Sequence, residues 1–154
     1  MVRVLSGDEI VHRSVKAKIR LDYKGETKPS KFLFGGKNLE EVAEEVREKK
    51  VALLRNVPVQ GIQIEDIDMS AEVYVVQDDL SGNPVAYAPV QITVNCDSLE
   101  DLSRFVIVDE FRKIEILEPE QVYYPKLDLE RFLFKISQEI KNYRGQLDRR
   151  LSHK

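Results

Sequence analysis

AEVYVVQ at residues 71–77, DDLSGNP at 78–84, YAPVQITVNC at 87–96 and DSLEDLSRFV at 97–106 together decide the fold. The first stretch alternates, with Ala71, Val73 and Val75 on one side, and the third is densely apolar, as strands on a core are. Between them Asp, Ser, Gly, Asn and Pro crowd together, the composition of a reversing turn. The fourth stretch opens with Ser98 and places Asp101 three positions later, close to a capping box. The stripe Leu99, Leu102, Phe105 and Val106 follows. A hairpin and then a capped helix are expected, with Ile114, Ile116 and Leu117 as a returning strand.

The same order of elements occurs upstream. Val15, Ala17, Ile19, Leu21 and Tyr23 alternate with Lys16, Lys18, Arg20 and Asp22, so the first set should meet a core and the second should face water. KGETKPS at 24–30 reads as a turn, KFLFGG at 31–36 as a second strand, and Asn38 followed by Glu41 as a helix start. Leu39, Val42, Ala43 and Val46 form the apolar stripe of that helix, and Ile62, Ile64, Ile67 and Met69 a strand after it. The two passages, 15–69 and 70–118, read as a ββαβ tandem repeat that rests on element order, because identity between them is low.

A third helix is expected at 128–151, capped by Asp128. Leu129, Leu133, Ile136, Ile140, Tyr143 and Leu147 follow one another at spacings of four and three, and Leu151 continues the row. Two placements fit this seam. The helix packs across the sheet of its own chain, or its distal half pairs with the same helix of a second copy. The fold class is therefore α+β (mixed α/β), with a largely antiparallel sheet, two short helices and a long C-terminal helix. The layout is ferredoxin-like or a related two-layer sandwich.

The chain of 154 residues fits a single domain, and 42% hydrophobic with 33% charged residues describes a globular protein with a charge-rich surface. No run approaches the roughly 20 apolar residues that span a bilayer, and charge interrupts the first 13 residues before a signal-peptide core can form. With one cysteine, Cys96, a cytoplasmic location is expected and no membrane partner. The net charge of −3 hides segregation: residues 1–37 carry nine Lys or Arg against four acids, 38–125 seven against nineteen, and 126–154 eight against four. The basic ends either neutralise the acidic middle within one molecule, pair with a neighbour, or present a basic surface.

Candidate chemistry is sparse. Cys96 precedes a helix start, where a thiolate would be stabilised, with His12 as a speculative base; the plainer reading is a small buried hydrophobe. His12 and His153 lack the partners of a zinc site. Asp66 and Asp68 share a strand face beside Glu65 and form a candidate Mg²⁺ site for a phosphodiesterase or nuclease, while carboxylates on a sheet rim explain the same residues. Gly35-Gly36-Lys37-Asn38 resembles a phosphate-binding turn but has the spacing of no known loop. Lys16, Lys18 and Arg20 project from one strand face and are the candidate nucleic-acid contacts, which Tyr74 and Tyr87 would join if that face is open. No cofactor is expected. The favoured function is a non-enzymatic module that self-associates, as a dimer or higher, through Leu129, Leu133, Ile136, Ile140, Tyr143 and Leu147.

Overall fold

The computed structural model describes residues 1–25 and 38–153. The expected strand at 31–36, residues 26–30 of the turn before it and the glycines of the phosphate-like turn lie outside the described residues. The elements are β1 (Val2–Ser6), β2 (Glu9–Arg13), β3 (Val15–Lys24), α1 (Leu39–Asn56), β4 (Ile62–Asp68), β5 (Tyr74–Gln77), β6 (Pro84–Cys96), α2 (Leu99–Val106), β7 (Phe111–Glu118) and α3 (Lys126–Ser152).

Five strands form a sheet in the order β4-β6-β3-β7, with β5 also pairing β6, and every pairing is antiparallel. β3 and β4 both run antiparallel to β6, so α1 carries the chain between two parallel strands that flank β6. In the same way α2 joins β6 to β7 across β3. The turn at 78–84 closes the β5–β6 hairpin as its composition predicts, with Ser81 N and Oγ donating to Asp78 Oδ2 at 3.2 and 2.8 Å. β5 begins at Tyr74, three residues later than the alternation suggested.

Alternation on β3 sets the core. Ile67, Ile92, Ile19 and Ile114 stand in register across all four long strands, and Ile64, Val94, Ala17 and Ile116 form the neighbouring row. Ile19 and Ile92 are fully buried; burial of this kind contributes roughly 2–3 kcal/mol for each large aliphatic side chain. Helix α1 comes down where the sheet carries only small residues, with Ala43 packed against Ala86 and Ala88. Gly25 belongs to this corner: a Cβ there would lie 2.9 Å from the Ala43 backbone nitrogen.

Several local expectations need correction. Asn38 caps α1 as expected, its Oδ1 accepting from Glu41 N at 2.8 Å. At α2 the Ser98 hydroxyl bonds Asp101 Oδ2 at 3.0 Å, so the side chain caps no backbone N–H. Asp128 does not cap α3. The helix begins at Lys126 after Pro125, because proline's fixed φ suits a helix entrance, and Asp128 pairs with Arg3 from the first turn at 3.8 Å. Residues 2–13 add two strands beyond those expected from the sequence. Ser6 pairs Glu9 across Gly7-Asp8, and Gly7 has φ 65°, the first position of a type II′ hairpin turn.

Helix α3 does not cross its own sheet. Its main packing is on α2, on the helix side of the sheet. No helix among the described residues is long and apolar enough to cross a membrane.

Candidate functional site

The row predicted on α3 divides into two faces. At 100° per residue, Asp128, Phe132, Glu139 and Tyr143 lie on one side of the helix. This side is docked: Phe132 meets Tyr124 edge to face at 6.1 Å, Tyr124 donates to Glu100 of α2 at 3.0 Å, and the Tyr143 hydroxyl accepts from Asp109 N at 3.2 Å. About a quarter turn away lie Leu129, Leu133, Ile140 and Leu151, which are 47%, 58%, 45% and 68% exposed. Ile136 sits between the two faces and Leu147 continues the open row; both are half-buried, as is Tyr143. The helix is therefore held by its polar and aromatic edge, while four large aliphatic side chains of the heptad row face solvent. Isolated apolar residues are ordinary on a surface; an aligned set of four is not.

The open sheet face gathers the charges. Lys16, Lys18 and Arg20 do share it, and Tyr87, opposite Lys24, pairs with Tyr74 on the same face. The basic row does not stand free. Lys16 Nζ lies 2.9 Å from Glu65 Oε2, Lys18 stands opposite Glu115, and Arg20 donates to both oxygens of Asp22 at 2.9 and 3.1 Å. The hydrogen bond to Glu65 raises the Lys16 pKa, and the bond to Lys16 lowers that of Glu65. The basic start and acidic middle of the chain thus meet within one molecule.

Asp66 and Asp68 also reach this face, opposite Thr93 and Gln91, although a bulge after Ile64 interrupts the strand. Asp68 Oδ1 accepts from Ser70 N at 2.8 Å, and the Ser70 side chain together with this backbone bond holds the Asp68 pKa down. No group of three or more His, Cys, Asp or Glu that could hold a metal ion occurs among the described residues.

The sequence placed Asp22 in water; the structure buries it to 1% exposure. Beyond Arg20, its carboxylate accepts from the Tyr74 hydroxyl at 2.5 Å and lies 3.6 Å from Arg112 Nε, and its backbone N–H donates to Glu110 at 2.8 Å. Tyr74 stacks on Tyr87 with ring centroids 5.5 Å apart, and the Arg112 guanidinium sits 5.3 Å from the Tyr87 centroid. Two arginines and two tyrosines from four strands roof a carboxylate on an otherwise solvated face. Tyr87 is thereby flanked along the sheet by Tyr74 from β5 and Arg112 from β7.

Cys96 is 1% exposed at the end of β6, where burial, then Asp101 and Asp97, pushes its thiol up to about 12. His12 stands exposed on β2, a separate hairpin. A buried thiol held protonated is a packing residue. Native protein at about pH 8 should therefore resist iodoacetamide while protein in urea reacts at the rate of a free thiol. Equal rates in both states would contradict this burial.

Burial also raises Tyr23, Tyr74, Tyr124 and Tyr143 above the ordinary tyrosine value of 10.0, helped respectively by Glu110, Asp22, Glu100 and Asp109. The sign follows from linkage. Groups raised on folding bind more protons in the native state, so their contribution is full below the unfolded value and is lost as pH rises through the folded one. Stability should hold to about pH 9 and then fall steadily. The urea midpoint measured from neutral to strongly alkaline pH checks this, and Tyr23→Phe should shallow the decline; a flat profile would oppose it.

A groove of about 1070 Å³ runs between the end of α1, the edge strand β4 and α2, lined by Leu53, Leu54, Val57, Ile64 and Phe105, with Lys50, Arg55 and Arg104 at its rim. No sequence motif marked it, because its walls come from separate elements, with Tyr23 of β3 and Gln146 of α3 lining it as well.

Comparisons with protein-family models, with curated proteins and with solved structures find nothing that matches this chain.

Proposed function

We propose that this protein is a small self-associating module whose association surface is the outer row of α3. The observation that supports it is the set of exposed aliphatic side chains Leu129, Leu133, Ile140 and Leu151 on a helix whose neighbouring edge is already anchored to α2 and its flanking segments. A helix that only completed its own fold would turn its widest apolar stripe inward. Light scattering on the purified chain, at low and high salt, tests the reading. A dimer or larger species that persists in high salt is expected, since apolar contact is not screened. A monomer at every concentration would sink it.

The strand order and the two crossovers support a ferredoxin-like arrangement of β3-α1-β4 and β6-α2-β7, onto which α3 is added. On that reading the repeat of 15–69 and 70–118 corresponds to one crossover in each half.

A second reading, single-stranded nucleic-acid binding by the open sheet face, is favoured by one observation: Tyr74 and Tyr87 share that face with Lys16, Lys18 and Arg20. It is the weaker reading, because Lys16 and Arg20 already hold carboxylates and Tyr87 is flanked on both sides. Fluorescence anisotropy with a labelled oligonucleotide decides it: salt-sensitive binding lost in a K16E/K18E/R20E variant would support it, and no binding at low salt would remove it.

A further inference from the structure

Resting on the self-association reading, we infer that the partner of the α3 row is the α3 of a second copy lying antiparallel to it, in one defined register. Leu129, Leu133, Ile140, Leu147 and Leu151 fall within about 40° of one another around the helix, and Ile136 and the Tyr143 ring border them on the docked side, so together they form one seam. In an antiparallel pair each residue of the seam meets the one equally far beyond the midpoint. With the midpoint at Gln138, Leu129 meets the partner's Leu147, Leu133 meets the partner's Tyr143, and Ile136 meets the partner's Ile140. The alternating spacing of four and three lets all three layers form in a single register, each of them twice.

Charge selects this orientation over the parallel one. Beside the seam, on the side turned away from α2, lie Lys126, Glu130, Arg144 and Asp148. Flanking positions on one side of an antiparallel seam pair about a midpoint one residue earlier, at Ser137. That places Glu130 opposite the partner's Arg144 and Lys126 opposite the partner's Asp148, and two-fold symmetry makes each contact twice. None of these four side chains is committed to an ion pair within its own chain among the described residues. A parallel pair would instead set the distal halves side by side, with Lys141, Arg144, Arg149 and Arg150 of both copies in one region. The antiparallel pair sends these basic halves to opposite ends. Because the contact is the same patch on both copies, it closes on itself as a dimer and does not propagate.

The experiment uses the full chain. Glu130→Arg and Arg144→Glu, each alone, should weaken dimerisation about tenfold at low salt by turning attraction into repulsion at two symmetric sites. The double variant E130R/R144E should recover to within about threefold of the wild type. Cross-linking gives a second readout. Proteins carrying Glu130→Cys and Arg144→Cys are mixed and treated with a bismaleimide of roughly 10 Å reach, well short of the roughly 20 Å rise between positions 130 and 144. A product joining one variant to the other supports the antiparallel register, while products joining each variant to itself show a parallel pair and overturn it. A wild-type dimer that ignores both charge reversals overturns the register but leaves self-association through α3 standing. A wild-type monomer removes both.

Discussion

Replacing Leu133 and Ile140 together by glutamate should abolish self-association while leaving the fold of the chain intact. The two side chains are 58% and 45% exposed in the single molecule, so roughly half of each remains to be buried by a partner. Burying half of a large aliphatic side chain is worth about 1 kcal/mol, and a pair of copies buries four of them. Putting four carboxylates in the seam forfeits that gain and adds repulsion. The dissociation constant should therefore rise at least about a thousandfold, corresponding to roughly 4 kcal/mol. Since neither side chain is part of the buried core, far-UV circular dichroism and the melting temperature at a concentration where both proteins are monomeric should change little. Sedimentation or light scattering over a wide concentration range reads the association. A double variant that keeps the wild-type mass would place any interface elsewhere on the molecule.

The second large effect is expected at Asp22, where the test is of stability. Its two carboxylate oxygens receive Arg20, Tyr74 and, at longer range, Arg112, in a pocket with almost no solvent access. Asp22→Asn keeps the shape but turns an amide N–H₂ toward groups that can only donate or that prefer to. Removing one partner of a buried charge costs about 3–5 kcal/mol when the remaining charge cannot reach water. Here the Arg20 and Arg112 side chains are 47% and 37% exposed and can swing outward, so the expected loss is nearer 2–3 kcal/mol. For a chain of this size that lowers the melting temperature by about 5–10 °C. Because the carboxylate is out of solvent, molar salt should leave most of the difference between the two proteins in place. A variant within 0.5 kcal/mol of the wild type, roughly the spread of ordinary surface substitutions, would show that the network contributes nothing net. The same variant should loosen Tyr74 from its stack on Tyr87, and tyrosine fluorescence would report it.

Much of the fold was legible because it is set by local rules. The alternation on β3 named its buried face residue by residue, and Asn38 marked the start of α1 through a hydrogen bond spanning three residues. The Asp-Ser-Gly-Asn turn formed its hairpin for the same local reason. The candidate site was legible only in part. Heptad spacing found the apolar row of α3, yet it could not say that Phe132 and the Tyr143 hydroxyl would be engaged within the chain itself and Leu133 and Ile140 left outside. Lys16 reads as part of a free basic strip because its partner Glu65 lies far along the chain on another strand.

The sequence by itself determined which segments are strands and helices and which side of each is apolar, since both depend on periodicity within about ten residues. Only the tertiary structure decided what covers each side. Asp22 shows why: its letter and its alternation assign it to water, and it is buried because Arg112 and Tyr74 arrive from strands 90 and 52 positions away. The same holds for α3, whose seam is written in its own residues while the split between docked and open halves depends on where α2 stops. Local periodicity records that a face needs covering; chain topology supplies the cover.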